Sequence, residues 1–290
     1  MKSKARRMSG PTSPKRARVL SAAPRCTLGE SPRWSEEGWW WVDVEVGDIW
    51  NLASPSPTHQ ESAKQVFALG RRVSYVQPLQ ESGLLVADGA DIVELGPQLT
   101  GARKRGSVPV SAGEVLNDGA LNEDGTLVIG SVGPRRRADG WLWSVGARGR
   151  VSRIAGPFSM SNGMAWSSSD LLLHADSGTR KIWAHTFRAG SIHRSEQFAE
   201  FDEDEGMPDG ICGDGFGGIW VAMYGAGVVQ HFDSGGTRQG TIEVGTAQVT
   251  SVARGGDDGG ALLITTAREG IPSGSALDPL AGRLFHADLD

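Results

Sequence analysis

Cysteine is nearly missing. Cys26 and Cys212 are the two in 290 residues, and they form no C-x-x-C pattern. That excludes a disulfide framework and a thiolate zinc cluster, and two free thiols in a reducing compartment are expected. No run of about 18 apolar residues occurs, so no transmembrane helix and no membrane partner are expected. No apolar stretch of about 7–15 residues follows the basic start, which therefore reads poorly as a secretory signal and leaves a cytoplasmic location as the expectation. Helical periodicity is missing from every long window. Neither G-x-S-x-G nor G-x-x-x-x-G-K-[ST] occurs, so the nucleophile elbow and the phosphate loop are both excluded.

Charge is unevenly spread. Residues 1–18 hold Lys2, Lys4, Arg6, Arg7, Lys15, Arg16 and Arg18 and no acid, which leaves 22 basic against 34 acidic residues for the remainder. An acidic body argues against nucleic acid as a partner. The basic stretch 1–18, with its proline and serine, is expected to be a disordered, solvated leader, and residues 19–290 a single domain.

Glycine is abundant instead, at 41 of 290 residues. This is about twice the usual ~7% share, and it suits many tight turns between short strands. Six short apolar runs read as buried strands: Trp39–Val44, Leu84–Ala87, Leu127–Ile129, Leu171–Leu173, Ile219–Ala222 and Leu262–Thr265. The turn residues before them are Gly38, Gly83, Gly125, Asp170, Gly217 and Gly259, spaced by 45, 42, 45, 47 and 42 residues. A second, alternating run follows each: Ile49–Leu52, Ile92–Leu95, Leu142–Val145, Ile182–His185, Val228–Phe232 and Leu284–Ala287. A repeat of this length is that of a propeller blade, so the expected fold is all-β, a six-bladed β-propeller with a central metal-binding channel. Arg18–Ala22 precedes the first repeat and can close the ring by pairing with the last blade. Most of the ten tryptophans fall on these strands, where packing between blades is expected.

Eight residues before the six turn positions stand Glu30, Tyr75, Asn117, Asn162, Asp209 and Ser251, all polar or polar-tipped. The first strand of a blade lines the channel, so equivalent positions form a ring. Two carboxylates and two carboxamides converging there would be costly to bury without a cation. Oxygen ligands favour Ca²⁺, Mg²⁺ or Mn²⁺, with Zn²⁺ less suited. Asn-Asp-Gly and Pro-Asp-Gly are also ordinary turn sequences, which is the competing reading of each motif taken alone.

At these residues the chain resembles the SMP-30/gluconolactonase/regucalcin family. The matching stretches include CTLGESPRW with WWVDV (26–44), LNDGALNEDGTLVIGSV (116–132), SNGMAW (161–166), MPDGICGDGFGGIWVAMYGAGVV (207–229) and TTAREG (265–270). The resemblance implies a propeller lactonase with one divalent ion held by Glu30, Asn162 and Asp209, with Asn117 binding substrate and Asp118 beside it. Two departures bear on the substrate. Many lactonases of the family have a sugar-contacting arginine where this chain has Val115, and the loop 133–140 reads GPRRRADG, with Arg135 the candidate substrate contact. These arginines read as solvated surface or as selecting an anionic lactone.

The expected activity is metal-dependent hydrolysis of a small sugar lactone, in a monomer or small homo-oligomer. Asp209 is the candidate base for the attacking water and Asp118 the second candidate. Alternatives are a phosphotriesterase or fluorophosphatase-like hydrolase using a similar site, and a non-catalytic calcium-binding propeller.

Overall fold

A computed structural model describes residues 15–53, 62–80, 83–99, 101–272 and 276–289. The chain opens with two short strands, β1 (Lys15–Arg16) and β2 (Arg18–Val19). Blade 1 is β3 (Gly29–Ser35), β4 (Gly38–Asp43), β5 (Asp48–Leu52) and β6 (Lys64–Ala68). Blade 2 is β7 (Val73–Pro78), β8 (Leu84–Asp88), β9 (Asp91–Leu95) and β10 (Ala102–Ser107). Blade 3 is β11 (Val115–Leu121), β12 (Leu127–Val132), β13 (Gly140–Val145) and β14 (Val151–Phe158). Blade 4 is β15 (Ser161–Ser168), β16 (Leu171–Asp176), β17 (Lys181–Arg188) and β18 (Ser191–Glu200). Blade 5 is β19 (Met207–Gly213), β20 (Ile219–Tyr224), β21 (Val228–Phe232) and β22 (Arg238–Glu243). Blade 6 is β23 (Val249–Gly255), β24 (Ala261–Thr266) and β25 (Phe285–Asp288), completed by β2.

Each blade is an antiparallel meander, and the first strands β3, β7, β11, β15, β19 and β23 touch in succession and close the ring. The architecture is the expected six-bladed β-propeller. The apolar runs of the sequence are the second strands. All six positions of β4, β12 and β24 are buried, because neighbouring blades cover both faces. Outermost strands such as β18 face solvent and read as polar. Trp39 and Trp41 are fully buried in the packing between blades 1 and 6.

The ring is closed by the N-terminal segment. Arg18 and Val19 pair antiparallel with His286 and Phe285, and the Leu20 amide donates to the Leu284 carbonyl (2.8 Å). Just before this, β1 runs parallel to β22, with Lys15 opposite Ile242. The leader expected over 1–18 is thus corrected at its end: Lys15–Arg18 form strands that tie blade 5 to blade 6. Residues 1–14 lie outside the described residues. The tie is backbone pairing by charged, exposed side chains, so no hydrophobic pattern marks it. Leu20 anchors it among Trp39, Trp41, Leu52 and Leu284. Leu20→Ala is expected to lower unfolding free energy by about 2–4 kcal/mol in urea denaturation, through the cavity it leaves beside the closing strand.

Candidate functional site

Every inner strand breaks register at the same level. The break falls between Glu30 and Arg33 in β3, Leu116 and Gly119 in β11, Ser161 and Met164 in β15, and Pro208 and Ile211 in β19. A bulge frees side chains from the alternation of the strand and turns them to the axis. Asn117, Asn162 and Asp209 sit within three of these bulges, and Glu30 is the last paired residue before the fourth. The Asn-Asp-Gly and Pro-Asp-Gly motifs are therefore strand irregularities, not turns. Their glycines make room for the neighbouring blade. A Cβ on Gly163 would lie 2.4 Å from the Asp209 carbonyl oxygen, and one on Gly210 would lie 1.9 Å from Ser251 Oγ.

The four residues line one axial cavity of about 170 Å³, which suits a small molecule and not a polymer. Leu28, Ser177 and Thr250 also line it, together with Val115, Val132, Met160, Met207 and Tyr224. Glu45, Arg72, Arg136 and Glu269 add charge to the lining. None of the tryptophans lines it. Among the described residues no group of three or more His, Cys, Asp or Glu side chains could hold a metal. A cation here would depend on carboxamide oxygen as well as on Glu30 and Asp209.

Hydrogen bonding fixes which way the two amides point. Ser177 Oγ donates to the Pro208 carbonyl (2.6 Å), so it can only accept from Asn162, whose Nδ2 stands 3.2 Å away. Asn117 Nδ2 donates to the Ser161 carbonyl (3.1 Å). In both residues the nitrogen is engaged with the protein and the carbonyl oxygen remains as a ligand atom. Asp209 Oδ1 is buried with no hydrogen-bond partner. Burial, with the Asp118 charge beside it, pushes the Glu30 carboxyl up to about 8. Burial and the Glu30 charge hold the Asp209 carboxyl well above the usual carboxylate range. Two buried, mutually repelling carboxylates flanked by carbonyl oxygens fit a hard divalent cation.

Asp118 does not line the cavity. Its Oδ1 accepts from Arg33 Nη2 (3.2 Å) and from the Gly119 amide (2.7 Å), and its Oδ2 is buried without a partner. Arg135 is also displaced from the expectation. Its side chain is 77% exposed and its Nε lies 3.3 Å from Asp139 Oδ2, whereas the next residue, Arg136, lines the cavity. Val115 lines the cavity where the sequence placed it. Tyr75 and Ser251 are absent from the lining. The breaks in β7 and β23 span Val73–Tyr75 and Val249–Ser251, one residue shorter than in the other blades, so a uniform offset overshoots. Thr250 takes the place in blade 6. Glu45, Arg72, Arg136, Ser177, Tyr224 and Glu269 come from outside the inner strands and carry no repeat offset, although Glu269 lies in the TTAREG stretch.

Behind Asn117 a hydrogen-bonded chain crosses blade 4, with one residue from each strand. Ser161 Oγ meets His174 Nε2 (2.8 Å), His174 Nδ1 meets His185 Nε2 (3.3 Å), and His185 Nδ1 meets Ser195 Oγ (2.8 Å). Burial holds His174 well below the usual imidazole range and pushes His185 down to about 4. An unfolded histidine takes up its proton near 6.5, so the unfolded state binds more protons between that pH and 4. These groups therefore favour folding above about pH 6.5, and that contribution is lost as pH falls. His185 alone accounts for a decline of about 3 kcal/mol by pH 4. Urea unfolding from pH 8 to 4.5 should show a shallower decline for His185→Gln than for the parent.

Six blades around an axial cavity lined by two carboxylates and two carboxamides define the class: a β-propeller with a small-molecule site on its axis. The model of the SMP-30/gluconolactonase/LRE-like region matches residues 28–268, and the chain belongs to that family. It is 29% identical over 275 residues to pentonolactonase XacC of Haloferax volcanii, covering 91% of each chain. It is 28% identical over 287 residues to the L-arabinolactonase of Azospirillum brasilense, covering 93% of this chain and 91% of that one. Among solved structures, the calcium-binding protein regucalcin of Agrobacterium tumefaciens shares the fold, with a TM-score of 0.84 at 24% identity over 94% of both chains.

Proposed function

We propose that this protein hydrolyses a small sugar lactone to the corresponding acid, with a divalent cation (Ca²⁺, Mg²⁺, Mn²⁺ or Zn²⁺) held by Glu30, Asn162 and Asp209. One observation carries the reading: Asp209, whose Oδ1 is buried without a hydrogen-bond partner, lines the same small cavity as Glu30 and the two amides. The pentonolactonase and arabinolactonase relatives support lactone as the substrate.

When bound, the cation would polarise the lactone carbonyl and acidify a water. Asn162, whose nitrogen is held by Ser177, keeps its carbonyl oxygen available to the cation. Asn117, held through Ser161, offers its carbonyl oxygen to a substrate hydroxyl and so sets the ring's orientation. Asp209 takes the proton as water adds to the carbonyl carbon. The ring C–O bond then breaks, and Asp209 returns that proton to the departing ring oxygen. Asp118, paired with Arg33 outside the lining, supports the base from behind and does not meet the water.

The test is metal-stripped protein against a panel of sugar lactones, with Ca²⁺, Mg²⁺, Mn²⁺ and Zn²⁺ added singly. Hydrolysis of at least one lactone, dependent on a metal and abolished by chelator, is expected. No hydrolysis under any condition would overturn the reading.

A further inference from the structure

We infer that Arg136 reads a carboxylate on the substrate, so that the preferred lactone is the monolactone of a sugar diacid and not that of a neutral aldonic acid. This rests on the lactonase reading above and narrows its substrate class.

The loop after β12 is built to present one arginine of three. Asp139 Oδ2 accepts from the Arg135 amide (3.1 Å) and from Arg135 Nε (3.3 Å), and its Oδ1 accepts from the Arg137 amide (3.1 Å). That clamp spends one guanidinium on Asp139 and shapes the backbone. Between its two anchor points Arg136 adopts a left-handed conformation (φ 51°), with its amide donating to the Gly133 carbonyl (3.1 Å) and its own carbonyl accepting from Ser159 Oγ (2.9 Å). A non-glycine residue in that region is strained, and these two hydrogen bonds hold it there. Of the three arginines, Arg136 alone lines the cavity.

Its charge is uncommitted. Among the described residues no carboxylate lies within ion-pair distance of Arg136, while Arg72, also in the lining, is paired with Glu45 at 2.5 Å. Of the rest, Val115, Val132, Met160 and Met207 offer no hydrogen bond, and Tyr224 offers only a neutral hydroxyl. A sugar bound in the cavity therefore meets one free cationic fork, whose geometry matches a carboxylate.

The experiment compares a matched pair, galactono-γ-lactone and galactaro-γ-lactone, which differ by a terminal carboxylate. The parent protein should show the higher kcat/KM on the diacid lactone. Arg136→Gln should lower that value about tenfold to hundredfold more than it lowers the value for the neutral lactone, mainly through KM, as loss of a charged hydrogen bond would. Arg136→Lys should recover part of it. Galactarate should inhibit the parent more strongly than galactonate does, and Arg136→Gln should erase that difference. Equal losses on both lactones, or none, overturn the role of Arg136 while leaving lactone hydrolysis intact. Absence of hydrolysis on both sugars and across the wider lactone panel removes the lactonase reading and this inference together.

Discussion

Asp209→Asn is expected to cut lactone turnover by about a thousandfold or more and to raise the melting temperature of the metal-free protein. The two effects have one origin. Asp209 is buried, its Oδ1 has no hydrogen-bond partner, and the neighbouring Glu30 repels its charge. A carboxyl whose folded pKa is raised costs stability at neutral pH, because the unfolded chain ionises it freely. An isosteric amide removes that cost, for an expected gain of the order of 1–3 kcal/mol and a few degrees in melting temperature. The same substitution removes a proton acceptor, which general-base catalysis values at about 10²–10⁴ in rate, and half of the negative charge that would hold the cation. Calorimetry with chelator, then with added cation, separates the contributions. A cation at a hundred times its Kd stabilises the native state by about 2.7 kcal/mol, so the parent should gain roughly 4–5 °C and Asp209→Asn far less. Full turnover by Asp209→Asn, or an unchanged metal-induced shift, would sink the assignment.

The parts of this fold that were legible in the sequence are those buried on both sides. Second strands such as Leu127–Val132 are buried throughout and carry a short unbroken apolar run, so six such runs at similar spacing betray the blades. Asn117, Asn162 and Asp209 were legible for a related reason. Where blades crowd together at the axis a glycine must follow nearby, and a polar residue beside glycine at a fixed offset is a recognisable pattern. Lys15–Arg16, which pair with β22, carried no such pattern, because an exposed strand needs only backbone donors and acceptors, whereas the pairing of the segment from Arg18 with the last blade was legible from the need to close the ring. The choice between Arg135 and Arg136 was illegible for a different reason. Two left-handed residues, Arg136 and Ala138, shape the loop that brings Arg136 to the cavity, and neither residue type has a propensity that announces it. Tyr75 and Ser251 misled because bulge length varies by one residue between blades while sequence spacing does not.

Arg33→Ala is expected to destabilise the fold by about 3–5 kcal/mol, the cost of breaking a buried ion pair from one side. Arg33 is bound more completely than any other residue near the axis. It donates to Asp118 Oδ1 (3.2 Å), Gly119 O (3.0 Å), Pro32 O (2.8 Å) and Gln77 Oε1 (3.3 Å), and its guanidinium stands 5.2 Å from the Tyr75 ring centroid. These contacts link blades 1, 2 and 3 behind the cavity. Without Arg33, the Asp118 charge would be uncompensated and would bear directly on Glu30 and Asp209, which already feel it. Arg33→Met combined with Asp118→Leu should therefore recover most of the loss, since it removes both charges and retains the volume. The same pair separates two roles for Asp118. A base would lose about 10²–10⁴ in kcat on conversion to Asn, with the fold intact. A residue that acts through Arg33 would show a smaller kcat loss than Asp209→Asn, together with a fall in unfolding free energy and partial rescue by Asp118→Glu. The second pattern is expected, because Asp118 Oδ1 is committed to Arg33 and Gly119 and no Asp118 atom lines the cavity.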